Sequence, residues 1–214
     1  EFSMLEWYRP GDADPFAAMV NELTDLVATQ SRFGAPTVVS YRSLFEAELG
    51  INPHATDARE LAYPASDLVG AKTAASLDDD SLLNLLFSHR IEPQLMNHIV
   101  VDFPEIQAAL ARVEVSAEGD RVARRAELYL DGVEIANGYH ELTDADEQRA
   151  RFADDQVKRV QFHRPDVPTD EALLSALTAG LPDSYGVALG VDRWVMVNLG
   201  AGRLAECMSF WESP

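Results

Sequence analysis

Residues 122–140 read VARRAELYLDGVEIANGYH, two strand-forming runs joined by Asp131-Gly132. An Asp-Gly pair between such runs is a hairpin signal, because both turn residues take positive φ. Further on, residues 185–190 form a second glycine-rich strand, which runs directly into a helix over 191–199. That helix carries Asp192 and Arg193 in its first turn. A hairpin followed by a strand-to-helix junction, both downstream of several helices, is an α+β pattern and excludes alternating βαβ units. The junction also has chemical content. Glycine lets a planar ring lie against backbone, and an arginine opening the next helix can stack on that ring or pair with a phosphate.

The other elements follow from caps and periodicity. Asp14-Pro15 starts a helix, with Asp as N-cap and Pro at the first helical position. Phe16, Met19, Val20, Leu23 and Val27 share one face of it. Residues 43–49 and 57–63 read as short helices, the second ending before Pro64. Asp78–Asp80 precede a leucine-rich run, and read as acidic charge at a helix N-terminus rather than a metal site. Ile99–Phe103 and Val122–Leu130 are expected strands. Thr143 is expected to cap a polar helix reaching about Phe162, and Thr169 to open another that Gly180 and Pro182 stop. The expected architecture is an antiparallel sheet with flanking helices.

Composition narrows the class. The chain has 214 residues, enough for one domain with a real core, and no apolar run reaches the length of a membrane span. The single cysteine, Cys207, excludes an intrachain disulfide, fits a reducing cytoplasm, and is expected to pack in the core. The net charge of −19 repels phosphate backbones, which disfavours tRNA and favours a protein or small-molecule substrate. The histidines have no metal-ligand spacing, so zinc is not expected. His140 adjoins a candidate site residue, whereas His89, His98 and His163 read as surface or packing residues.

Glu134 and Glu141 flank Asn137-Gly138. Carboxylates in a cleft that also holds phosphates usually meet them through Mg²⁺. The two are seven residues apart, so an unbroken strand would point them to opposite sides. A bulge at Asn137-Gly138 would bring them together; otherwise they are two solvated carboxylates. Glu6 and Tyr8, two apart, share a side of any strand that contains them. A cationic substrate needs a carboxylate in a partly dry pocket, and Glu6 and Glu141 are the candidates.

Three segments carry a family resemblance. GVALGVDR (residues 186–193) resembles motif 3 of class II aminoacyl-tRNA synthetases. EIANGYHELTD (134–144) is similar to the ELANGxxEL segment of the lysine-type members, and EFSMLEWYRP (1–10) resembles the strand closing motif 2. The wording LEWYRP, the pair His140-Glu141 and Ala188 point to the lysyl-tRNA synthetase paralogues that modify elongation factor P. The resemblance runs from residue 1 to about residue 210.

It implies a class II catalytic core over residues 1–214 that activates lysine or (R)-β-lysine with ATP and Mg²⁺. The adenylate would pass its acyl group to a lysine of elongation factor P. By the same resemblance, Glu134, the Ile135 backbone, Gly190 and Arg193 contact ATP, with Arg193 as the catalytic clamp. Tyr8, Glu141, Asn137, Glu6 and Ala188 line the amino-acid site, and Glu134 and Glu141 hold Mg²⁺. Ala188 replaces a glycine common in true lysyl-tRNA synthetases and reshapes that pocket. The motif 2 arginine and the motif 1 dimer interface would precede Glu1, so the resemblance implies a domain truncated at its N-terminus and a homodimer at full length. The alternatives are a fragment of a true lysyl-tRNA synthetase and an inactive paralogue that acts as a binding module.

Overall fold

The structure is a computed structural model that describes residues 2–162 and 164–208; Glu1 and His163 lie outside the described residues. Its elements run β1 (Met4–Pro10), α1 (Pro15–Gln30), β2 (Thr37–Ser40), α2 (Tyr41–Leu49), α3 (Ala58–Val69), α4 (Ala71–Ala74), α5 (Asp79–Leu86) and β3 (Asn97–Pro104). They continue through β4 (Val113–Val115), β5 (Arg121–Leu130), β6 (Val133–His140), α6 (Ala145–Gln161), α7 (Glu171–Ala179), β7 (Ser184–Gly190) and α8 (Val191–Leu199).

The strands form one sheet in the order β1-β7-β6-β5-β3-β2, with β4 paired to β5 off that path. Every pairing is antiparallel except β2 with β3 at the edge. The expected α+β architecture is therefore present. The short edge strand β2 has no counterpart in the sequence reading, because four residues leave too little periodicity to detect.

Each face of the sheet has its own helical cover. On the back, α1 and α8 pack Met19, Leu23, Val27 and Val197 against Ile99, Ala126, Leu128, Val187 and Leu189. On the front, α2, α3 and α5 cover only the β3–β5 side, through Tyr41, Phe45, Leu61 and Leu86. Tyr41 stacks between Phe45 and Phe87, with centroids 4.8 and 5.0 Å away, and so seals that cap onto the sheet. Among the described residues no helix covers the front of β1 and β7.

Three local expectations are corrected. Helix α3 continues through Pro64 to Val69. Leu61 and Ala65, both fully buried, hold it on the core, and that packing outweighs the hydrogen bond lost at the proline. Asp144, not Thr143, caps α6, its carboxylate accepting from the amides of Asp146 and Glu147 at 2.9 Å. Asp170, not Thr169, caps α7 by accepting from Leu173 N at 2.9 Å. In both, the charged cap also complements the helix dipole, which a hydroxyl does not. Cys207 is a free, half-buried residue after the last helical turn, not a core one. Among the described residues no helix is long and apolar enough to cross a membrane.

Candidate functional site

Side chains opposite one another on neighbouring strands share a face, so the register assembles the front of the sheet. One row runs Glu6, Ala188, Asn137 and Glu127 across β1, β7, β6 and β5. The next runs Tyr8, Gly186, Tyr139 and Arg125. Two residues in each direction keep the face, which adds Gly190, Glu141 and Tyr129 to it.

Glu134 reaches the same face through a bulge, but not the one expected at Asn137-Gly138. The β5–β6 register shifts so that Leu128 pairs with Ala136 while Tyr129 pairs with Glu134, leaving Ile135 as the extra residue. Ile135 and Ala136 consequently both enter the back core, each 2% exposed. Two adjacent apolar residues on one face favour the slip, because an unbroken strand would expose one of them. The parity correction works as anticipated: Glu134 shares a face with Asn137, Tyr139 and Glu141.

At one end of the site, Arg193 donates to the Glu134 carbonyl at 2.9 Å and lies 3.6 Å from the Glu134 carboxylate. A Cβ placed on Gly190 would lie 3.7 Å from the Arg193 Cδ and from the Ile135 carbonyl. The four expected ATP contacts are thus mutual neighbours. Burial and the Glu127 charge push the Glu134 carboxyl above its usual range, with Arg193 and Arg125 pulling it back.

At the other end, Glu141 lies beyond β6, its amide bonded to the Ser184 carbonyl at 3.0 Å. Its carboxylate and the Tyr8 ring lie over Gly186. A Cβ there would collide with Glu141 Oε1 and stand 2.6 Å from Tyr8 Cε1. Gly186 is therefore the floor of this end, a role the sequence reading gave only to Gly190. Burial raises the Glu141 carboxyl to about 7. Burial, then the Glu141 and Glu6 charges, raises the Tyr8 phenol. Asn137 donates to the Tyr139 hydroxyl at 2.9 Å, which leaves its buried Oδ1 without a protein partner. A buried acceptor of this kind can receive a hydrogen bond from a bound ammonium. His140 points to the back, with Nε2 2.7 Å from Asp183 Oδ1, so it belongs to the sheet end and not to the site.

Between the two ends lies a group that the sequence reading missed. Glu127, buried at 4% exposure, accepts hydrogen bonds from both Arg125 and Tyr129. Arg125 also donates to the Gln107 carbonyl at 2.9 Å and lies 4.7 Å from the Phe103 ring centroid. The only sequence signal was a charge alternating inward along an otherwise buried strand, RRAELYL. Tyr41, Glu92, Glu127, Tyr129 and Glu134 line a cleft of about 630 Å³ under the helical cap. A larger cleft of about 720 Å³, between α5 and α6, opens outward from it past Asp80, Asn84 and Arg125.

Among the described residues no three His, Cys, Asp or Glu side chains gather as a metal site. Glu134 and Glu141 share a face but stand at opposite ends of β6. Mg²⁺ commonly takes one or two carboxylates and fills its shell with water and substrate phosphates. Glu134, beside Arg193, offers one such carboxylate, whereas Glu141 stands roughly 20 Å away along the strand and does not fit the same ion.

The family model of class II tRNA synthetases (D, K and N) matches residues 16–213. An elongation factor P–(R)-β-lysine ligase of Enterobacter sp. (strain 638) is 45% identical over 214 residues, which cover 98% of this chain and 65% of that protein. The protein of that name from Edwardsiella ictaluri has the same identity and coverage, and that of Klebsiella pneumoniae is 44% identical with the same coverage. The chain thus spans just under two thirds of these relatives.

Proposed function

Starting from a chain that belongs to the class II tRNA synthetases (D, K and N), we propose that it activates lysine or (R)-β-lysine with ATP. The aminoacyl-adenylate would then pass its acyl group to a lysine side chain of elongation factor P. One observation carries the reading: a single sheet face gathers the carboxylates of Glu6 and Glu141 toward one end and Arg193 at the other. The names of the relatives support the choice of amino acid and acceptor.

In this reading Glu6, Glu141 and the free Asn137 Oδ1 receive the ammonium groups of the substrate, and Tyr8 flanks its carbon chain. The glycine floor at Gly186 lets both side chains close on it. A raised Glu141 carboxyl gives up its proton when a cation arrives, so binding and ionisation are coupled. Arg193, Gly190 and the Ile135 carbonyl hold the adenosine triphosphate, with Arg193 available to its ring or phosphates. Glu134, at the Arg193 end, would hold Mg²⁺, which neutralises phosphate charge when bound, while Glu141 stays with the amino acid. The remaining catalysis is positioning: the substrate carboxylate attacks the α-phosphorus, pyrophosphate leaves, and no side-chain nucleophile takes part.

The test is amino-acid-dependent ATP–pyrophosphate exchange with lysine and (R)-β-lysine compared side by side. Exchange that prefers (R)-β-lysine is the expected outcome. A folded chain with no exchange would defeat the reading and leave a binding module. Acyl transfer to tRNA in preference to elongation factor P would move the chain to the tRNA branch of its family.

A further inference from the structure

Strand β1 supplies Glu6 and Tyr8 and pairs with β7 from Met4 to Pro10. The side chains of β1 that alternate with these two decide how firmly this wall of the site is held.

Two anchors hold it, one at each end. At the start, Asp192 Oδ2 accepts from Ser3 N at 2.6 Å, and Val191 N donates to the Ser3 carbonyl at 2.9 Å. This anchor ties β1 to α8, next to Arg193. Toward the other end, four donors converge on the carboxylate of Glu22 in α1. Trp7 Nε1 donates at 2.7 Å and the Tyr185 hydroxyl at 2.8 Å, both to Oε2. Arg9 contacts Oε1 through Nε and through its terminal nitrogen, each at 2.7 Å.

Trp7 and Arg9 alternate with Glu6 and Tyr8 along β1, so they point to the back while the site residues point to the front. Tyr185 comes from β7, the partner strand. One carboxylate thus crosslinks α1, β1 and β7 directly behind the amino-acid end. Burial alone would raise the Glu22 carboxyl, but the hydrogen bonds from Arg9, Trp7 and Tyr185 outweigh it and hold it low. It therefore stays ionised and keeps the short, charge-assisted geometry.

We propose that Glu22 is a positioning residue for the amino-acid pocket: it pins β1 to β7 from behind so that Glu6 and Tyr8 stand over Ala188 and Gly186. The proposal rests on the reading of this face as an amino-acid site. The ATP end is held by the separate Asp192–Ser3 anchor, which makes ATP affinity an internal control.

The experiment compares the whole chain with its Glu22→Ala and Glu22→Gln variants, each checked for folding by circular dichroism. Hydrogen exchange is followed over residues 4–10 and over β3, and the dissociation constants of lysine, (R)-β-lysine and ATP are measured by calorimetry. Glu22→Ala is expected to speed exchange over residues 4–10 at least tenfold while β3 stays protected. It should weaken amino-acid binding at least tenfold and ATP binding less than twofold. Glu22→Gln keeps an acceptor for Trp7 and Tyr185 and should recover a substantial part of both losses. A folded Glu22→Ala protein with unchanged amino-acid affinity, or with equal losses for ATP and amino acid, would overturn the proposal. If the unmodified chain binds neither amino acid, the functional reading fails, and exchange over residues 4–10 alone decides the clamp: unchanged protection overturns it, lost protection upholds it.

Discussion

The back of the sheet and the candidate-site region of its front are built on opposite principles. Behind it, Leu128, Val187 and Leu189 meet Leu23 and Met19 in a dry apolar layer. In front, one residue away along the same strands, Glu127, Tyr129 and Ala188 meet arginine, carboxylates and solvent. Burial stabilises the back at about 25 cal/mol per Å². The front gains little from its ion pairs, since charges taken out of water largely cancel their own attraction. The difference teaches where the fold is secured and where it is spent. The apolar back holds the strands in register, so that the front can carry charges that would not assemble alone.

The largest test sets neighbours on β5 against each other. Leu128→Ala should cost about 2–5 kcal/mol in urea unfolding, from lost burial and a cavity. Glu127→Ala should cost about 3–5 kcal/mol, because it strands Arg125 in a buried position. The double change Arg125→Met with Glu127→Leu should restore most of the latter. If Glu127→Ala costs less than about 1 kcal/mol, Arg125 is not left as a stranded buried charge and the contrast between the faces fails.

A smaller effect concerns Glu141. Its folded carboxyl stands at about 7, raised by burial above the ordinary value of 4.5. A raised pKa means that the folded chain holds its proton more tightly than the unfolded one. The stability this contributes is complete below about pH 4.5 and lost as pH rises through about 7. Glu141→Gln should therefore gain on the unmodified chain by an order of 1–3 kcal/mol between pH 5 and pH 8. Urea midpoints at the two pH values measure it, and a pH-independent difference would show that the carboxyl is already ionised. The smallest effect is at Ala188. Ala188→Gly should shift the ratio of the lysine and (R)-β-lysine dissociation constants toward lysine by about 1 kcal/mol, roughly fivefold. An unchanged ratio would remove Ala188 from the pocket wall.

The candidate residues named from the sequence share one face of the sheet, while less of the fold around them was legible. The row of motifs named Glu6, Tyr8, Glu134, Asn137, Glu141, Ala188, Gly190 and Arg193, and all of them fall on β1, β6, β7 or the first turn of α8 except Glu141, which follows β6 directly. Strand parity even required a bulge, though it was sought two residues too late. What could not be read was any partner that meets the site across the sheet. Gly186 looks like a spacer until Tyr8 and Glu141 are seen above it. Glu127 looks like a surface carboxylate until Arg125 and Tyr129 close on it. Helix α3 passes Pro64 because Leu61 and Ala65 bury, and burial depends on elements far away in the chain.

Sequence by itself determined the local chemistry: caps, turns, hairpin, strand-to-helix junction and the inventory of charged groups. Each of these depends on neighbours within a few residues, where φ/ψ preference and short-range hydrogen bonding decide. Only the tertiary structure decided which charge faces which. Register, the Ile135 bulge and the convergence of β1 and β7 on Glu22 arise from packing between residues as many as 186 positions apart. Such contacts follow from how two faces bury their apolar halves, and no short stretch of chain carries that information.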